Sequence, residues 1–203
     1  KRGVCMDSSS LIKSSNGITS VSLDARLLSS RVIYIDDQEI TGELVANIVK
    51  KIMVLVSEGS DKAITIMIDS PGGSVKAGMV LYDLLQTCKT PIRMVAAGRA
   101  YSMAAVLLAA GNHGRYMFPN SEVMIHQPLL SSPVTGNSSS IKSVSDKLNK
   151  GKKKMNRLLA KHTGKTEKQI EKATSYDHFF DAEEAIAFGL CDGIIGFNEI
   201  MEV

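Results

Sequence analysis

From about residue 24 onward, apolar and polar positions follow two rhythms in turn. A short β-rich run, Val32 to Ile35, is followed by Leu44, Val45, Ile48, Val49, Ile52, Leu55 and Val56, whose three- and four-residue spacing predicts an amphipathic helix. AITIMID (63–69) is an apolar run heavy in β-branched residues, as in a strand covered on both faces, and it stops at Ser70-Pro71-Gly72-Gly73, a turn. Val75, Met79, Tyr82 and Leu85 predict a second helix, IRMVAA (92–97) a second buried strand, and GRAYSMAAVLLAAG (98–111) a third turn and helix. RYMF and EVMIH, separated by Pro119-Asn120, add two short strands. Strand and helix in alternation are the signature of βαβ units, so the expected fold class is α/β with a parallel sheet. Functional groups should then collect where strands end and turns enter helices, as at 70–73 and 98–102.

Beyond His126 the stretch LLSSPVTGNSSS reads as a loop. Ile141, Val144, Leu148, Met155 and Leu158 then predict a helix whose lysines, at 142, 147, 150, 152, 153 and 154, occupy the other faces. A solvated helix face accounts for those lysines better than an anion-binding patch. Gly164 is placed to end the helix as its C′ residue. A further helix opens at Asp181, with Glu184 reaching back in a variant of the capping box, and closes at Gly189. Residues 1–23, rich in Ser, Asn and Gly, show no sustained period and read as a mobile arm, which leaves 24–203 as one domain.

Composition narrows the function classes. The chain has 203 residues, 44% hydrophobic and 22% charged, ordinary for one globular domain. A formal charge of +3 is too small to argue for a nucleic-acid partner. Cys5, Cys88 and Cys191 are odd in number and unpaired by spacing, which argues against a disulfide framework or a zinc site and for a reducing compartment. The longest apolar run, Met103 to Ala110, is far short of the roughly 20 residues a membrane span needs, so a soluble protein without a membrane role is expected. The first residues carry charge and serines without the apolar stretch of a secretory signal, and the absence of Met at position 1 suggests processing or trimming.

Ser102 lies where a strand-to-helix turn exposes free backbone N–H groups, so it is either a nucleophile beside an anion site or the cap of the helix that follows. The pattern is not G-x-S-x-G, so the α/β-hydrolase elbow is not supported. Of four histidines, His113 sits in a solvated turn, His162 in the last turn of the long helix where the dipole accounts for it, and His178 among aromatics. His126 ends the strand EVMIH just before Pro128, at a sheet edge, where it can be a base or a structural residue. Asp177, in SYDHFFDAEEA, is a candidate orienting carboxylate or an ordinary loop charge. DSPGGS lacks the lysine and spacing of a phosphate-binding loop, and its double glycine can equally present a backbone N–H to an oxyanion. No metal-ligand spacing occurs.

Together, IDSPGGSVKAGMVLYD (68–83), GRAYSMAAVLLAAG (98–111), RYMFPNSEVMIHQPL (115–129) and ATSYDHFFDAEEAIAFGL (173–190) resemble the proteolytic subunit of the Clp protease, a serine peptidase family of the crotonase-like superfamily. The resemblance runs from about Asp24 to Ile195. It implies a crotonase-like ββα spiral with a protruding handle, about 129–163. It makes Ser102 the nucleophile, His126 the general base, Asp177 the group that orients the imidazole, and the N–H groups of Gly73 and Met103 the oxyanion hole. It further implies two stacked heptameric rings, a tetradecamer, with the N-terminal arm at the axial entrance and an AAA+ Clp ATPase feeding in unfolded polypeptides. The subunit itself needs no cofactor, since the partner ATPase uses the ATP. The implied setting is the bacterial cytoplasm or an organelle stroma or matrix.

The chain departs from the family pattern in four places. Tyr101 stands where a small residue usually precedes the nucleophile, and its ring is expected to narrow the site or alter peptide preference. Ala104 replaces a usual Gly. Leu130-Ser131-Ser132-Pro133 replaces the glycine pair of the substrate-clamping strand, with no N–H at Pro133. Ser175-Tyr176 replaces an acidic-basic pair that joins the rings. These departures favour, as an alternative, a weakly active or structural subunit that needs a paralogue in a mixed ring. A crotonase-like acyl-CoA enzyme and a phage-type capsid maturation protease are two further readings.

Overall fold

The computed structural model describes residues 9–14, 17–59, 61–130 and 133–201. Its first elements form a hairpin within the stretch expected to be a mobile arm. β1 (Ser9–Ser14) and β2 (Gly17–Ser22) pair as an antiparallel hairpin in the register Ser9↔Ser22 to Ser14↔Gly17. Leu11 and Ile18 project from it into solvent. Residues 1–8, 15 and 16, also assigned to the arm, lie outside the described residues, as do Ser131 and Ser132 of the expected handle. The hairpin leads into α1 (Leu23–Ser29), capped by the Ser22 hydroxyl, which accepts from Ala25 N–H.

The apolar runs then become strands that alternate with helices, as their rhythm predicts. β3 (Val32–Ile35), α2 (Gly42–Ser57), β4 (Ile64–Ser70), α3 (Val75–Thr87), β5 (Ile92–Tyr101), α4 (Met103–Ala109) and β6 (Arg115–Met117) follow in chain order. α2 buries Val45, Ile48, Ile52 and Leu55, while Val56, expected on the same face, is exposed. β7 (Glu122–Ile125), α5 (Ser138–Thr163), α6 (Glu167–Ala173), β8 (His178–Phe180), α7 (Ala182–Phe188), β9 (Gly193–Ile194) and α8 (Phe197–Met201) complete the chain.

The seven-stranded sheet has the order β3-β4-β5-β6-β9, with β7 on β5 and β8 on β7. Every pair is parallel except β7 with β8. β5 is long enough to serve two neighbours in turn. Its first half pairs with β6 through Met94–Ala96, and its end pairs with β7 through Arg99–Tyr101. The strand therefore runs on through residues expected to turn. Gly98 permits this, because a Cβ there would lie 2.9 Å from the Asp69 carboxyl carbon. Asp69 instead accepts from Arg99 N–H (3.0 Å) and pairs with the Arg99 guanidinium (3.1 Å), which also reaches Asp37.

Behind the sheet, α4 is apolar on every side and buried throughout, the mark of a core helix. Burying each of Val106, Leu107 and Leu108 contributes about 1.5–3 kcal/mol. α5 is different. Only Met155, Asn156 and Leu159 are buried, Ile141 is exposed, and the N-terminal half extends away from the core with its lysines in solvent. Gly164 ends the helix in the left-handed conformation (φ 70°), and Asp181 with Glu184 forms the expected capping box on α7. Arg115 ties these C-terminal elements together, donating to His162 O (3.0 Å) and Gly189 O (2.9 Å) while pairing with Asp192. Burial by itself would raise the Asp192 pKa, but the Arg115 hydrogen bond and charge outweigh it and hold the carboxyl below its ordinary range. No helix of the described residues is long and apolar enough to cross a membrane.

Candidate active site

The passage from β5 into α4 is made by one residue. Ser102 has φ 54° and ψ −117°, a backbone conformation that costs a non-glycine residue on the order of 1–3 kcal/mol and persists only where the surroundings fix it. They do so here from both sides. Ser102 N–H donates to Met124 O (2.8 Å) on β7, and Ser102 O accepts from Ala105 N–H (3.1 Å) in the first turn of α4. The reading of Ser102 as a side-chain cap is corrected, because its hydroxyl makes no cap hydrogen bond. Instead Ser102 Oγ lies 2.7 Å from His126 Nε2.

His126 arrives there by register. Tyr101 pairs with Met124, so the residue that follows β7 emerges beside the residue that follows β5. Its side chain is 14% exposed, and its Nδ1 faces Asp177 Oδ1 at 3.4 Å. With the proton on Nδ1, Ser102 O–H donates to Nε2 and the Nδ1–H points to the carboxylate, an assignment made from the contacts themselves. Asp177 precedes β8 and is brought near by a backbone link: Gln127 N–H, just after His126, donates to Thr174 O (2.9 Å) at the end of α6. Thr174 is itself buried, with its hydroxyl donating to Ile170 O. The Asp177 side chain is 60% exposed, and 3.4 Å is longer than a normal N–H···O hydrogen bond.

The first residue of the double glycine lies against the serine. A Cβ on Gly72 would fall 2.6 Å from Tyr101 O and 2.7 Å from Ser102 Cβ, and Gly72 has φ 94°. Gly72 N–H donates to Ser70 Oγ, and Ser74 N–H to Ile40 O, so the hydrogen bonds of this turn pass over the N–H of Gly73 between them. Met103 opens α4, where the first N–H groups have no acceptor within the helix. Beside Ser102 and His126 is a narrow hollow walled by Val75, Val106, Ile125, Pro128, Met155 and Leu159. It is apolar and small.

The other histidines lie in different settings. His113 is exposed, and His178 stacks on Phe180 with ring centroids 4.2 Å apart. His162 corrects the helix-dipole reading: it is half-buried and its Nε2 lies 2.8 Å from the Tyr82 hydroxyl. Burial first, then the Lys161 and Arg115 charges, lower its pKa to about 4, so it is neutral near pH 7. Tyr101, whose ring is expected to narrow the site or alter peptide preference, is not among the residues that wall the hollow. It turns to Glu122 and Phe179. Among the described residues no group of three or more His, Cys, Asp or Glu is placed to hold a metal. Sequence reading missed the Gln127–Thr174 link and the Asp37–Arg99–Asp69 cluster. A signal for the latter existed in Asp69, an acid closing an apolar run, opposite Gly98.

A serine on a strained turn, an imidazole within hydrogen-bond reach and a carboxylate facing its other nitrogen are an arrangement that can support acyl transfer, and the fold that carries it is the crotonase-like α/β arrangement that the four motifs imply. The sequence model of one protein family, Clp protease, matches residues 15–198. That span covers most of the chain and contains every residue of the constellation, and the chain belongs to the Clp protease family.

Proposed function

We propose that this Clp-type peptidase cleaves unfolded polypeptides with Ser102 as nucleophile, His126 as general base and Asp177 as the group that orients and stabilises the imidazolium. The observation that carries this reading is the 2.7 Å contact of Ser102 Oγ with His126 Nε2 at a backbone strained to φ 54°. In the acylation step His126 takes the Ser102 proton as Oγ bonds to the peptide carbonyl carbon. The negative oxygen of the tetrahedral intermediate accepts from the N–H groups of Gly73 and Met103. His126 then returns the proton to the departing amine, leaving Ser102 acylated, and water attacks by the same route in reverse. Each oxyanion donor is worth about 2.7–4 kcal/mol of barrier. The chemistry draws on side chains and backbone alone, so ATP would be consumed by a partner ATPase and not by this subunit.

The same reading extends to assembly. The N-terminal half of α5, with Ile141 exposed and no core against it, fits a contact between two heptameric rings, and the β1–β2 hairpin with Leu11 and Ile18 exposed fits the axial entrance where an AAA+ Clp ATPase docks. The free thiols Cys88 and Cys191 fit a reducing setting, in a cytoplasm or an organelle matrix. The test combines the mass of the particle with hydrolysis of a short fluorogenic peptide by wild type and Ser102→Ala. A double ring that cleaves, and a Ser102→Ala double ring that does not, is the expected result; unchanged cleavage by Ser102→Ala overturns it. One observation favours a second reading, a ring subunit completed by an active paralogue: the exposed Asp177 stands off His126 at 3.4 Å. Double rings of this chain that cleave only after mixing with a paralogue would support it.

A further inference from the structure

One side chain, on β5, touches both of the other strands that meet at the site, β7 and β8. Tyr101 is the last residue of β5, directly before Ser102. It pairs in register with Met124 on β7, which pairs with Phe179 on β8. Residues paired in register point to the same side of a sheet, so Tyr101, Met124 and Phe179 form a row across β5, β7 and β8. The row is in contact. The Tyr101 and Phe179 rings meet edge to face, with centroids 5.6 Å apart at 83°. The Tyr101 hydroxyl donates to the Glu122 carboxylate at the start of β7. That hydrogen bond, reinforced by burial, pushes the phenol pKa up to about 12, so the group remains a neutral donor throughout the working pH range.

β8 needs such a hold. It is three residues long, sits at the edge of the sheet and pairs with β7 alone. Phe179 is 47% exposed, and Asp177, two residues earlier, is 60% exposed. Asp177 is thus the least enclosed member of the triad, and its approach to His126 depends on where β8 lies on β7. Tyr101 is not among the residues that wall the hollow beside Ser102.

We propose that Tyr101 is a positioning residue for Asp177: locked by Glu122, its ring holds Phe179 and with it the start of β8, keeping the carboxylate behind His126. The inference rests on the peptidase reading above. Its test uses the assembled protein and a short fluorogenic peptide, with kcat, KM and the pH–rate profile measured for wild type, Tyr101→Ala, Tyr101→Phe, Phe179→Ala and Asp177→Asn. Tyr101→Ala and Phe179→Ala should each lower kcat about tenfold, the scale of a modest misplacement of a reacting group. KM should change little, and the acid limb of the profile should move in the same direction as in Asp177→Asn. Tyr101→Phe keeps the ring and should keep most of kcat. In an Asp177→Asn background, Tyr101→Ala should cost almost nothing more, because no carboxylate remains to be placed.

Wild-type kcat in Tyr101→Ala overturns the proposal. So does a loss of equal size with and without Asp177, or a loss carried by KM with the acid limb unmoved. If Tyr101→Ala does not fold or assemble, Tyr101→Leu, which fills the same face without an aromatic edge, is read by the same criteria. A fully active Ser102→Ala sinks the peptidase reading instead. An inactive Ser102→Ala beside a fully active Tyr101→Ala sinks this inference only.

Discussion

The two contacts that meet at His126 are built to different standards. On one side Ser102 Oγ stands 2.7 Å from Nε2, held by the end of a ten-residue central strand, by a wholly buried helix and by a hydrogen bond to β7. On the other, Asp177 stands 3.4 Å from Nδ1, more than half exposed, at the start of a three-residue edge strand. Ser102 and His126 are placed by the core of the fold. The carboxylate stands at the surface, linked to the His126 side through the Gln127–Thr174 backbone hydrogen bond and, on the inference above, through Tyr101 and Phe179. Rigid placement of the first pair is costly to disturb, whereas the second can be tuned by single substitutions at the surface.

The comparison yields an order of effects. His126→Ala removes both contacts and should lower peptide hydrolysis on the order of 10⁶-fold, as loss of a serine or histidine does in other triads. Asp177→Asn should cost less, on the order of 10⁴-fold or below, and the shortfall measures how far the exposed carboxylate contributes. Equal losses in the two variants would break the comparison, since the loose side would then matter as much as the rigid one. Gly72→Ala comes next. A methyl group 2.6 Å from Tyr101 O must push the double glycine off the serine, and a shift of that kind should lower kcat on the order of 10²-fold without unfolding the chain. Wild-type kcat in Gly72→Ala would show that the turn is not in register with the oxyanion.

The smallest effect is on stability alone. His162, hydrogen-bonded to Tyr82 between α3 and the end of α5, has its pKa lowered from 6.5 to about 4 by burial first and neighbouring cations second. The unfolded chain therefore takes up a proton that the folded one does not, and stability should fall as the pH drops from about 6.5 towards about 4, levelling below that. Thermal melts of wild type and His162→Gln across this window check it. The variant should lose that part of the pH dependence, and parallel curves would contradict the assignment.

Much of the fold and part of the site were legible in the residue pattern, for reasons that particular elements make plain. β4 and the first half of β5 announce themselves because strands buried on both faces read as unbroken apolar runs. α5 and α7 are marked by their caps, and Gly164 and Asp181 do what their types suggest. The pairing of β1 with β2 was not legible, since their described residues are mostly polar and exposed and no period stands out. α6 buries only Ile170, and β8 is three residues long, too short for any rhythm. The meeting of His126 with Asp177 follows from no spacing at all. It depends on a backbone hydrogen bond from Gln127 to Thr174, 47 residues away in number but adjacent in the fold. The position of Ser102 at a strand end was legible, but its strained conformation was not, because that arises from the simultaneous demands of β7 and α4.

The central claim is that Ser102 is an activated nucleophile. Incubating the assembled wild-type particle with a fluorophosphonate and locating the adduct by peptide mass spectrometry tests it directly. The account predicts a single adduct per chain, on Ser102, formed far more slowly in Asp177→Asn and not at all in His126→Ala. An intact particle that takes up no label at Ser102, or labels equally fast without His126, would contradict it.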